Sequence, residues 1–218
     1  MTNNWSCFLV DLDGTIIDSA PGITASLAWT FERLGRPVPG PSELLAYVGP
    51  PILDSFRDLA GMTVAEAHHA LEVYRPHYLQ TGVFNSSVYA GVPALLKRIH
   101  ESGIPISLAT SKPELPATTA LDFYGLAHYF SVITGASEDE VRSRKADVVA
   151  EALRRLKALG ADISMPVMVG DREHDVHGAA EHGVPTIFVE WGYGSAAEQV
   201  GAIGVAASAE ELGVLLLG

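Results

Sequence analysis

Cys7-Phe8-Leu9-Val10-Asp11-Leu12-Asp13-Gly14-Thr15 is a short apolar run that leads straight into two carboxylates, a glycine and a hydroxyl. The apolar part reads as a buried strand. Carboxylates at the rim of a core are costly unless something cationic meets them. A divalent metal ion together with a phosphate ester accounts for the whole cluster. Side chains alternate along a strand, so Asp11 and Asp13 face one side if the strand continues through both. Gly14 then allows a sharp turn whose backbone N–H groups can cradle an anion. One carboxylate can attack phosphorus while the other moves a proton. Calcium loops and plain turns also use Asp-x-Asp-Gly. The preceding strand and the following Thr15 favour the catalytic reading.

Similar apolar runs recur at Ile104–Ala109, Val132–Ile133 and Val167–Val169, each followed by Thr or Gly, and at Thr186–Val189, followed by Glu190. Helical patterns separate them: Val92–Ser102 before Gly103, Lys145–Leu159 before Gly160, and His174–His182 before Gly183. Such alternation predicts an α/β fold with a parallel sheet. The segment from about Ser19 to Tyr89 breaks the pattern and holds no comparable strand. Asp18 or Ser19 can cap a helix with Pro21 in its first turn. Thr63-Val64-Ala65-Glu66 has capping-box spacing and opens another helix toward Tyr78. About 70 residues is too long for one crossover, so this segment reads as a helical cap inserted after the first strand.

The chain has 218 residues, 48% of them hydrophobic, enough for one core or a core with a small second domain. A net charge of −12 argues against coating a nucleic acid. No run approaches a membrane span, and the N-terminus lacks the basic region of a leader. The lone Cys7 reads as a small buried hydrophobe and fits a reducing compartment. The expectation is a cytoplasmic protein, monomeric or homodimeric, with no nucleic-acid or membrane partner.

Three further clusters match the first. Thr110-Ser111-Lys112-Pro113 places hydroxyls after a strand, where they can bind a phosphate oxygen or merely cap a helix. Lys145 begins a helix, where the dipole disfavours a cation. It is either held by acidic groups and a phosphate or is a solvated charge near Arg142 and Arg144. Gly170-Asp171 repeats the strand-to-carboxylate pattern, and Asp175 follows four residues later, so the two can converge above the sheet. Hard oxygen ligands suit Mg²⁺. Asp175 also reads as an ordinary acidic residue in a first helical turn. His174 and His177 have a workable zinc spacing but no third soft ligand, which ranks zinc below magnesium. Gly192-Tyr193-Gly194 comes too late and lacks the spacing of a dinucleotide loop.

Taken in order, Asp11-Leu12-Asp13-Gly14-Thr15, Thr110, Lys145 and Gly170-Asp171-Arg172-Glu173-His174-Asp175 resemble the four motifs of the haloacid dehalogenase superfamily of phosphohydrolases. The resemblance covers essentially the whole chain. Asp18-Ser19-Ala20-Pro21-Gly22-Ile23 and Thr110-Ser111-Lys112-Pro113 are similar to its phosphoglycolate phosphatase group. Many relatives have Lys-Pro at the third motif; here Ala146 follows Lys145, which fits a 5′-nucleotidase-like branch. The resemblance implies a Rossmann-like parallel sheet core flanked by helices, spanning 1–18 and 90–218. It also implies an inserted helical cap domain of the C1 type at 19–89. It makes Asp11 the nucleophile, Asp13 the acid/base and Lys145 a catalytic and phosphate-binding cation, with Gly14, Thr110 and Ser111 also receiving the phosphate. Mg²⁺ ligands are implied at Asp11, Asp13 (through its carbonyl) and Asp171, with Asp175 steadying the metal's waters or Lys145.

The expected activity is Mg²⁺-dependent hydrolysis of a small phosphorylated metabolite through an aspartyl-phosphate. Phosphoglycolate, a nucleoside monophosphate and a sugar phosphate are the candidate substrates. A phosphosugar mutase on the same fold needs the same residues. A dehalogenase usually lacks the second carboxylate, so Asp13 argues against it. A phospho-accepting signalling receiver is shorter, carries no inserted cap and has its acceptor mid-chain.

Overall fold

The computed structural model describes residues 5–218; the first four residues, part of the stretch read for a leader, lie outside it. The first strand, β1 (Cys7–Val10), is followed by β2 (Ile17–Asp18) and four helices: α1 (Ala20–Arg33), α2 (Pro41–Leu45), α3 (Ile52–Asp58) and α4 (Val64–Gln80). Then come β3 (Ser87–Val88), α5 (Val92–Ser102), β4 (Ile106–Pro113), α6 (Glu114–Phe123), β5 (Val132–Ala136) and α7 (Lys145–Ala158). The chain ends with β6 (Pro166–Gly170), α8 (Glu173–Ala180), β7 (Thr186–Val189), β8 (Gly204–Ala206) and α9 (Ala209–Leu217). No described helix is long and apolar enough to cross a membrane.

The described residues divide into two compact units: residues up to Ile17 with Val88–Gly218, and Asp18–Ser87. In the first, six parallel strands run in the order β5-β4-β1-β6-β7-β8. All four residues of β1 are buried because strands flank it on both sides. Its side chains alternate. Cys7 and Leu9 join Ala109, Met168 and the α7 residues Val148, Val149, Ala152 and Leu156 in one core layer. The chain winds outward from β1 through β4 and β5, then crosses back to β6, β7 and β8. Strand order therefore reverses at β1, and its carboxyl end is where an open α/β sheet leaves a crevice for ligands.

In the second unit the core is aromatic. Phe56 is fully buried, with edge contacts to Phe31, Tyr47 and Tyr74 at centroid separations of 6.1, 6.2 and 6.3 Å. The Thr63 capping box forms: the Thr63 hydroxyl accepts from Glu66 N–H, and the Glu66 carboxylate accepts from Thr63 N–H at 2.8 Å. At α1, Ser19 occupies the cap position but its side chain does not cap the helix, and Asp18 Oδ1 accepts from Ala20 N–H at 3.3 Å.

Three sequence expectations are corrected. The strand read as Ile104–Ala109 continues to Pro113, because Pro113 still pairs with Ala136 beyond a bulge after Ala109. Thr110 therefore sits within the strand rather than at its end. β1 stops at Val10, so Asp11 and Asp13 are not successive same-face positions of one strand. β8, only three residues within the Gly- and Ala-rich stretch Gly201–Ala207, adds a strand to those expected.

Candidate active site

Asp11 leaves β1 at the strand-order reversal, Asp171 leaves its neighbour β6, and Asp175 stands in the first turn of α8. Carboxylate oxygens of the three lie within 4.8 Å of one another, and all three residues are buried. Lys145, the first residue of α7, reaches into this group. Its Nζ donates to Asp11 Oδ1 at 2.7 Å and to the Ala109 carbonyl at 2.9 Å. It also lies 2.7 Å from Asp175 Oδ1 as an ion pair. That resolves the two readings of Lys145: it is buried and surrounded by acid. The same contacts explain a cation at a helix start, since two carboxylates outweigh the unfavourable dipole.

Asp13 goes elsewhere. Lys112 Nζ donates to both its oxygens, at 2.9 and 2.8 Å, and both side chains are buried. Gly14 turns the chain at φ +86°, and a Cβ there would overlap the Asp171 carboxylate. Thr15 donates its hydroxyl to Asp171 Oδ1 at 3.2 Å. Thr110 is buried and its hydroxyl accepts from Lys112 N–H at 3.2 Å; Ser111 is buried beside it. His174 and His177 are not among the Asp11–Asp171–Asp175 group. Lys112 carried no role in the sequence reading, and only the conspicuous Thr-Ser-Lys-Pro run pointed toward it.

Negative charge dominates the electrostatics. Burial, reinforced by Asp175 and Asp11, pushes Asp171 well above the usual carboxylate range. Burial also raises Asp11, with Lys145 opposing and Asp175 adding to the rise. For Lys145 burial pulls downward, but Asp11 and Asp175 outweigh it and hold the ammonium above its ordinary value. Asp11, Asp171 and Lys145 all shift toward holding protons, which is how a site short of positive charge responds.

A hard divalent cation fits the residues present. The donor set is all oxygen, and its three carboxylates are buried together with one ammonium to offset them. If ionised together, Asp11, Asp13, Asp171 and Asp175 exceed Lys112 and Lys145 by two charges, which a divalent ion would balance.

A family model described as "Haloacid dehalogenase-like hydrolase" matches residues 8–189. The tyrosine-protein kinase PtkA of Mycobacterium tuberculosis is 41% identical over 189 residues, 86% of this chain and 63% of that protein. The chain thus spans less than two thirds of that relative's length. A 5′-nucleotidase of Pseudomonas aeruginosa is 35% identical over 187 residues, 86% of this chain and 83% of the relative. A crystal structure described as a "predicted phosphatase" from Clostridium acetobutylicum superposes with a TM-score of 0.90. It is 35% identical and covers 97% of this chain and 98% of that one.

Proposed function

The chain belongs to the haloacid dehalogenase-like hydrolases, and from that premise we propose that it is a Mg²⁺-dependent phosphomonoesterase acting on a small phosphorylated metabolite in the cytoplasm. The observation that carries the reading is the single ammonium of Lys145 held between Asp11 and Asp175, with Asp171 alongside. Those residues would unite a nucleophile, a metal-binding face and a phosphate-neutralising cation at the carboxyl ends of the central strands.

An Asp11 oxygen attacks phosphorus in line, and the ester P–O bond breaks. Protonated Asp13 gives its proton to the departing alkoxide. The product is an aspartyl-phosphate on Asp11 and a free alcohol. Asp13, now a carboxylate, takes a proton from water as that water attacks phosphorus. Inorganic phosphate leaves, and Asp11 and the Asp13 acid are regenerated. Lys145, Thr110 and Ser111 receive phosphoryl oxygens and offset their charge; the Gly14 N–H, expected from the sequence to join them, is instead taken by the Ile17 carbonyl at 2.9 Å. Asp11, the Asp13 carbonyl and Asp171 would hold Mg²⁺, with Asp175 steadying Lys145 or the metal's waters. When bound, the ion supplies positive charge against which an anionic nucleophile and an anionic ester can meet. Residues 19–89 are read as the inserted C1-type cap that selects the leaving group.

Phosphate released from a panel including phosphoglycolate, nucleoside monophosphates and sugar phosphates tests the reading. Asp11→Asn should abolish turnover with the fold intact, and EDTA should abolish it until Mg²⁺ is restored. Full activity in the variant would sink the nucleophile assignment. The mycobacterial relative's name favours a second reading, transfer of the phosphoryl group to a hydroxyl other than water's; a mutase would do the same. Phosphate that stays organic while the ester is consumed would select it.

A further inference from the structure

The Gly192-Tyr193-Gly194 stretch lies against Asp171. Tyr193 N–H donates to Asp171 Oδ2 at 2.8 Å. Trp191 Nε1–H donates to the Thr15 carbonyl at 3.0 Å, and Thr15 is the residue whose hydroxyl reaches Asp171 Oδ1. One loop thus holds one carboxylate oxygen directly and the other through its partner. The fit leaves no room for side chains. A Cβ on Gly192 would overlap Asp171 Oδ2 and the Gly14 carbonyl, and one on Gly194 would overlap the Asp171 carbonyl. The loop's far end is fastened to the same segment. Glu198 accepts from Arg172 Nε at 2.7 Å, from Glu173 N–H at 3.2 Å and from Ser195 N–H at 3.0 Å. Residues 191–198 therefore track 171–173.

No step of the proposed chemistry uses this loop. Asp171 is fully buried beside two other acids, and mutual repulsion favours rotating it away from them. The Tyr193 N–H and the Thr15 hydroxyl oppose that rotation. Each carboxylate oxygen accepts one of these donors and keeps a second lone pair for an ion. We propose that Trp191–Gly194 is a positioning loop that keeps Asp171 turned toward Asp11 and Asp175, and thereby sets the affinity for a divalent cation. The proposal rests on the reading of Asp171 as a metal ligand. Outer partners of this kind typically change metal affinity by about 10–100-fold when lost.

The test is direct Mn²⁺ binding to chelator-treated protein by electron paramagnetic resonance, paired with the metal-free melting temperature. Trp191→Phe deletes one N–H and keeps an aromatic ring; Gly192→Ala displaces the loop. Gly192→Ala should weaken Mn²⁺ binding by about tenfold or more, with some fall in metal-free melting from the crowded Cβ, and Trp191→Phe by a few fold with metal-free melting unchanged. Should Gly192→Ala fail to fold, Trp191→Phe alone decides. Wild-type affinity in the folded variants overturns the proposal, as does a Trp191→Phe affinity loss that merely follows a fall in its metal-free melting. Wild-type protein that binds no Mn²⁺ overturns the metal reading itself and the proposal with it.

Discussion

Lys112 Nζ bonds to both carboxylate oxygens of Asp13 while both side chains are buried. The pair fixes where the proposed acid/base stands. Removing one partner of a buried pair leaves an uncompensated charge and costs about 3–5 kcal/mol. Lys112→Met should lower stability in that range and lower kcat by about a hundredfold through the misplaced acid/base. In the Lys112→Met/Asp13→Asn double variant the stability losses should add to less than their sum. Denaturant titration and phosphate release check both parts; additive stability losses would refute an energetic pair.

Divalent metal should stabilise the fold as well as support turnover. A ligand at a hundred times its dissociation constant adds about 2.7 kcal/mol, which for a chain of this size is a rise in Tm of about 5–10 °C. Mg²⁺ added to EDTA-treated protein should produce that rise, and Asp171→Asn should remove most of it. Differential scanning calorimetry is the measurement, and an equal rise in the variant would exclude Asp171 as a ligand.

Cys7 is fully enclosed by the sheet and α7 core layer, and burial pushes its thiol up to about 11, against a smaller lowering by Ser6. Its reactive thiolate is therefore scarce in the folded protein at pH 8. Iodoacetamide should leave the native chain unmodified and alkylate it fully in denaturant, as read by mass spectrometry.

Glu151 on α7 accepts from Arg154 at 2.7 and 2.9 Å and from Arg155 at 2.7 Å. The Arg154 bonds, against burial and with help from Arg155, hold its carboxyl down at about 2 against an ordinary 4.5. The folded pKa is the lower one, so the stabilisation is full above about pH 4.5 and fades as pH falls toward 2. The difference in stability between wild type and Glu151→Gln should shrink from pH 7 to pH 3. A difference that grows on acidification would reverse the sign.

The strands that build the sheet were legible because buried parallel strands need unbroken apolar runs. Thr186–Val189 and the helix Val92–Ser102 are read with the ends they have in the structure. β8 escaped because a three-residue strand carries no period, and β4 was cut short because a bulge cannot be read from composition. Asp11, Lys145, Asp171 and Asp175 were visible as charges at positions where isolated charge is costly. Lys112 was not, because nothing local ties it to a partner 99 residues away.

Sequence alone determined the α/β alternation, the helical character of the segment after β1 and most of the charged residues gathered at the strand ends, since each follows from local periodicity and from the cost of burying charge. Only the tertiary structure decided the pairings. Strand order places the ends of β1, β4 and β6 side by side. That juxtaposition gives Asp11 to Lys145, Asp13 to Lys112, and Asp171 to a backbone N–H of residue 193. These contacts depend on packing across the sheet, and no spacing along the chain encodes them.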